Sequence, residues 1–244
     1  MISQIAQAHQ NNSSLLAVLL DPDRENGIEK RVAAIVKSKA DIILVGSSLL
    51  LNDSFDSYCQ TIKTLAPGIP LLIFPGTTMQ LSRHADALMF LSLLSGRNAD
   101  LIIGQQVHAA PLIHKMQLPA ISTAYMLIES GKLTSAQFMS NTMPLPRNKP
   151  DIAIAHALAA KYMGFQMIYL EGGSGAENAV PVDIVSGVAR ATHLPLFTGG
   201  GIRTPETAAN IASAGATVIV IGTAFEHNNG SGFLQEMVAA VHGG

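Results

Sequence analysis

The chain has one cysteine, Cys59, and no tryptophan among its 244 residues. A lone thiol cannot close an internal disulfide, so stability has to come from packing, and a reducing, cytoplasmic setting is expected. Cys59 falls in an amphipathic segment, where a thiol is expected to be a small buried side chain. Charge is scarce and balanced: 15 basic against 17 acidic residues leave a net charge of −2. Without a basic excess there is no electrostatic case for nucleic acid as a partner. No apolar run reaches the roughly 20 residues of a membrane span, and the polar opening stretch Met1–Ser14 lacks the layout of a signal peptide. His84, His108, His114, His156 and His193 are scattered, not spaced as metal ligands. The lysines avoid strand ends, which argues against a Schiff-base aldolase. Apolar residues, by contrast, make up 48% of the chain and mean hydropathy is +0.31. That surplus predicts apolar surface hidden in a homo-oligomer interface or a lipid-binding groove. Peripheral contact with a membrane is a further expectation, although no basic amphipathic helix marks a surface for it.

Short β-branched apolar runs alternate with longer amphipathic segments, the pattern of βαβ units around a parallel sheet. The runs predict strands at Leu15–Leu20, Asp41–Val45, Leu71–Phe74, Ala87–Leu91, Ala120–Leu127, Met167–Leu170, Leu196–Phe197 and Thr217–Ile221. Helices are expected near 27–39, 53–65, 99–116, 152–163, 181–191, 205–214 and 232–241. Together they predict an α/β fold, a (β/α)₈ TIM barrel spanning residues 1–244 as one domain. Only about ten residues separate the third and fourth strands, near the lower limit for a crossover, so the third helix should be shortened or replaced. A long insertion, Glu129–Lys149, follows the fifth strand.

The most informative stretch is Gly199-Gly200-Gly201, just after the apolar run Leu194–Phe197. Glycine lets the backbone approach an anion closely and adopt positive φ. Thr204 and Pro205 then read as the N-cap and first residue of a helix. The eighth strand ends likewise in small residues, Gly222-Thr223-Ala224. Two successive strand ends of this kind are the usual phosphate site of such a barrel. The first strand ends in Asp21-Pro22-Asp23, where a carboxylate can hold a hard cation or act as a base; Asp23 could equally close an Asx turn. Gly46-Ser47-Ser48 ends the second strand and offers hydroxyls nearby, or a simple serine cap. The sixth leaves through Tyr169-Leu170-Glu171-Gly172-Gly173-Ser174-Gly175-Ala176. Strand alternation sends Tyr169 and Glu171 the same way, into the barrel mouth. Arg97, in Ser95-Gly96-Arg97-Asn98, is a weaker candidate for a diphosphate contact. The fifth strand, Ile121-Ser122-Thr123-Ala124-Tyr125, carries no acid to pair with Asp21, which weakens a two-aspartate isomerase or cyclase.

Taken in order, Leu20-Asp21-Pro22-Asp23, Gly46-Ser47-Ser48, Phe74-Pro75-Gly76, Tyr169–Ala176, Gly199–Arg203 and Gly222-Thr223 resemble the geranylgeranylglyceryl phosphate synthases and their PcrB-type relatives. The resemblance implies ether formation between sn-glycerol 1-phosphate and a polyprenyl diphosphate, with Mg²⁺ as cofactor. It implies Asp21 and Ser48 as metal ligands and Glu171, assisted by Tyr169, as the catalytic pair. It implies that Tyr169, Leu170, Glu171, Gly172, Gly173, Ser174, Gly175, Gly199, Gly200, Gly222 and Thr223 surround the glycerol phosphate. PcrB-type members carry a lysine where this chain has Leu19, so Arg24 or Arg203 has to supply that charge. Thr223 stands where many relatives have asparagine. The stretch 87–91 to 101–103, beside the stunted third helix, is the expected wall for a prenyl tail. Geranylgeranyl is favoured over heptaprenyl as that tail. An isomerase or lyase on a phosphorylated metabolite, and a non-catalytic phosphate-binding barrel, stay open on the residues alone.

Overall fold

The computed structural model describes residues 2–24, 26–228 and 230–243; the first and last residues of the expected 1–244 unit lie outside these. Eight parallel strands close into a barrel in sequence order: β1 (Leu15–Leu20), β2 (Ile42–Val45), β3 (Leu71–Ile73), β4 (Ala87–Leu93), β5 (Ala120–Leu127), β6 (Met167–Glu171), β7 (Leu196–Gly199) and β8 (Val218–Ile221). Closure is direct, with Leu15–Val18 of β1 paired to Val218–Ile221 of β8. Every predicted strand is present. Their apolar runs are continuous because helices cover one face and barrel side chains fill the other.

Alternation along each strand separates two cores. Ala17, Ile42, Leu44, Leu72, Met89, Met167, Tyr169, Phe197 and Val218 fill the barrel interior. Leu16, Val18, Ile43, Leu71, Leu170, Leu196 and Ile219 pack outward beneath the helices. The inward series takes in Glu171 and Gly199, the last residues of β6 and β7, and continues past the strand ends to Asp21, Ser48 and Gly222. The side-chain period of two thus aims these residues over the mouth.

The surrounding helices are α1 (Ile2–Gln10), α2 (Ile28–Ser38), α3 (Phe55–Leu65), α4 (Gln105–Met116), α5 (Ser135–Ser140), α6 (Pro150–Tyr162), α7 (Val182–Thr192), α8 (Pro205–Ser213), α9 (Thr223–Asn228) and α10 (Ser231–His242). Helix α8 begins as its sequence indicates, with Thr204 Oγ1 accepting from the Thr207 N–H at 3.2 Å and Pro205 in the first turn. Three helices have no counterpart among the expected ones. Helix α1 sends Ile5 and Ala8 into the interior core. Helix α5 lies in the insertion after β5, and α9 is a short turn directly after β8. Residues 74–86, between β3 and β4, form no helix. The third helix is therefore replaced by an irregular segment, beneath which Leu71, Ile73 and Leu88 are still buried. A π-helix, Asp100–Gly104, leads into α4. Such wide turns are uncommon and cluster at functional sites.

Candidate active site

A cavity of about 580 Å³ occupies the C-terminal mouth of the barrel, within the ordinary size range of ligand sites. Asp21, Ser48, Tyr169, Glu171, Ser174, Gly175, Gly200, Gly222 and Thr223 all line it. Five strand ends, those of β1, β2, β6, β7 and β8, thereby meet at one rim. Gly172, Gly173 and Gly199 lie just behind that lining. The Gly172 N–H donates to the Gly199 carbonyl at 2.8 Å, joining β6 to β7. Leu170 points outward and is fully buried under the helices, so only its backbone belongs to the rim.

Glu171 is 6% exposed. Burial raises its carboxyl from 4.5 to about 7, partly offset by hydrogen bonds from the Gly173 N–H and the Tyr125 hydroxyl. A carboxylate poised near neutrality is suited to accept a proton. Beneath it lies an aromatic tier. Tyr169 is stacked on Phe74, with ring centroids 4.7 Å apart, and on Phe197 at 6.0 Å. Tyr125 leans against both Phe74 and Tyr169 at 5.7 Å.

The glycines around this carboxylate are required by contact. Gly200 has φ +84°, and a Cβ there would stand 2.5 Å from the Gly173 backbone nitrogen and oxygen. On Gly199 a Cβ would meet the Tyr169 hydroxyl at 2.5 Å. The β6 and β7 loops are thus packed main chain to main chain, and Ser174 reaches across to Thr223, hydroxyl to hydroxyl, at 3.4 Å.

Asp21 closes an Asx turn, its Oδ1 accepting from the Asp23 N–H at 3.0 Å. Asp23 has a structural role: its carboxylate accepts from the Leu51 and Asn52 N–H groups at 3.0 and 3.1 Å, holding the loop after β2. Gln80 is fully buried and does similar work between β2 and β3. Its amide oxygen accepts from Ser47 and Gly76, each at 3.1 Å, and its amide nitrogen donates to the Ser47 carbonyl at 2.7 Å. Arg97 donates to the Gly96 carbonyl and faces His156, and it is not among the residues that line the cavity. Arg203 lines the cavity but donates to the Ala176 and Glu177 carbonyls. Arg24 also lines it, paired to Glu226 of α9 at 2.8 Å. Tyr125, Gln80 and Glu226 were not foreseen. Tyr125 carried a faint signal, being a polar aromatic near the end of a strand, followed only by Met126 and Leu127.

The cavity continues away from the glycines to Leu88, Phe90, Leu101, Ala109 and Ile113. Leu88 and Phe90 belong to the outward face of β4, where no third helix packs and the cavity runs in towards α4. The site therefore joins a polar, glycine-rich half at β6–β8 and β1 to an apolar groove between β4 and α4.

A polar cradle continuous with an apolar groove is the arrangement the motifs anticipated, and comparison with known proteins agrees. The PcrB family model matches residues 9–242. This chain belongs to the PcrB family. It is 42% identical over 228 residues to the geranylgeranylglyceryl phosphate synthase of Chitinophaga pinensis, covering 93% of this chain and 89% of that protein. It is also 42% identical over 229 residues to the synthase of Flavobacterium johnsoniae, covering 93% of each. Its fold matches the crystal structure of (S)-3-O-geranylgeranylglyceryl phosphate synthase from Thermoplasma acidophilum in complex with substrate sn-glycerol-1-phosphate. There the TM-score is 0.92 and the identity 30%, with 100% of this chain and 99% of that one covered.

Proposed function

We propose that this PcrB-family chain joins sn-glycerol 1-phosphate to geranylgeranyl diphosphate through an ether bond. The observation that carries this reading is the position of Glu171, a buried carboxylate near neutrality between a glycine cradle and an apolar groove. The cradle suits a phosphate, because backbone approaches closely and no side chain intrudes. The groove suits a tail with no hydrogen-bonding groups.

Glu171 accepts the proton of the free C3 hydroxyl as that oxygen bonds to C1 of the prenyl diphosphate. The bond from C1 to its diphosphate oxygen breaks, and diphosphate leaves. Tyr125 holds the carboxylate in place, and Tyr169 forms the floor on which the glycerol rests. The donor set also suits Mg²⁺. Among the described residues one Asp21 carboxylate oxygen has no protein partner, Ser48 adds a hydroxyl at the same rim, and no set of three or more His, Cys, Asp or Glu competes. Magnesium commonly takes one or two carboxylates and completes its shell with phosphate oxygens and water. Bound there, it would supply Lewis-acid stabilisation to the departing diphosphate.

Incubation with radiolabelled sn-glycerol 1-phosphate, Mg²⁺ and prenyl diphosphates of graded length tests the reading. Extractable product is expected with the C20 donor, and is expected to vanish with EDTA. Label left wholly in the aqueous phase with every donor would overturn it; preference for a C35 donor would reassign the tail alone. We also propose a homo-oligomer, because Ile103 and Val107 before and on α4 are 59% and 61% exposed. Sedimentation as a monomer would refute that.

A further inference from the structure

Within the ether-forming reading, we propose that Arg24 grips the diphosphate of the prenyl donor and that Glu226 positions it. The cavity needs a cation for a highly charged leaving group, and its lining holds two among the described residues, Arg24 and Arg203. Arg203 is occupied: both terminal nitrogens donate to carbonyls of the loop after β6, where the side chain fastens the cradle. β1 supplies no cation of its own, since its inward residues at this level are Leu19 and Asp21.

Arg24 is placed differently. It stands three residues beyond Asp21, on the loop after β1. Its one side-chain partner among the described residues is Glu226, at 2.8 Å through a single nitrogen. The side chain is 59% exposed, against 14% for Glu226. Guanidinium is a planar fork with five donors, so a carboxylate on one edge leaves the other edge free for oxyanions. Strands β1 and β8 are neighbours. The pair therefore bridges the Gly222-Thr223 end of the cradle and the Asp21 loop. Glu226 lines the same cavity and would repel an anion if it stood alone. Paired with Arg24 it is neutralised and becomes a splint, fixing which edge of the guanidinium faces inward.

The test combines calorimetric titration of inorganic pyrophosphate with Mg²⁺ and steady-state kinetics, on the full chain and on R24A, R24K, E226A and E226Q. Thermal melts check that each exposed or rim substitution still folds. R24A is expected to weaken pyrophosphate binding and raise KM for the prenyl diphosphate by roughly 10- to 100-fold, the range of a hydrogen bond to a charged group. KM for sn-glycerol 1-phosphate should stay within about twofold. R24K, which keeps charge but loses the fork, should recover only part. E226A should weaken the same two quantities, whereas E226Q, still an acceptor, should restore them. Wild-type pyrophosphate affinity in R24A, or equal rises in both KM values, would overturn the role of Arg24. Wild-type behaviour of E226A would overturn that of Glu226. If the wild type forms no ether with any donor yet R24A loses pyrophosphate, the reaction falls and the anion site stands.

Discussion

In the proposed reaction Glu171 is the base, and its protonation has consequences for both rate and stability. Burial holds its carboxyl at about 7. The base works ionised, so kcat/KM should climb with pH and level off above that value. Tyr125→Phe removes a hydrogen bond that favours the charged form, so the acid limb should move to higher pH. Glu171→Gln should lower kcat by about 10²- to 10⁴-fold while the fold persists. The stability effect has the opposite sense. Between 4.5 and about 7 the folded protein holds a proton that the unfolded chain has released, so stability falls as pH rises through this window. Glu171→Gln abolishes that loss, and above the window the variant should be the more stable by roughly 1–3 kcal/mol. Urea titrations at pH 5 and pH 8 would show the two proteins diverging only at the higher pH. Glu171 was legible in the sequence because an acid is out of place at the end of an apolar strand followed by glycines. Tyr125 and Glu226 were not, since each acquires its role from a partner on another strand or loop.

At the scale of elements, loops rather than helices define the site. Gln80 lies in the irregular segment after β3 and braces the loop after β2, 33 residues away. Gln80→Leu would strand the Ser47 and Gly76 N–H groups. A loss of roughly 2 kcal/mol is expected by chemical denaturation, with a weaker apparent affinity for Mg²⁺ if Ser48 is the ligand proposed above. Strands were readable as continuous apolar runs because both their faces are buried. Helix α1 was not, because Ile5 and Ala8 are its two buried positions amid Ser, Gln and His. Helices α5 and α9 span 6 residues each, too few for a periodic pattern to emerge. The gap between β3 and β4 was readable by length alone, since ten-odd residues cannot cross the sheet and also build a full helix.

For the whole molecule, the two ends of the barrel have separate tasks. Helix α1 seals the end opposite the cavity, with Ile5 4% and Ala8 6% exposed. Ile5→Ala should cost about 2–4 kcal/mol, seen as a lower melting temperature, and leave KM for both substrates unchanged at a temperature where the variant is folded. A shift in either KM would mean that the two ends are coupled. The tier of Phe74, Tyr169 and Phe197 closes the shaft directly below the carboxylate. In the proposed reaction the isoprenoid therefore has no route downward and travels sideways, along the cavity between β4 and α4. Depth of the cylinder then places no ceiling on donor size. Homologues with longer or shorter donors could keep the same reacting centre and differ only along this lateral exit.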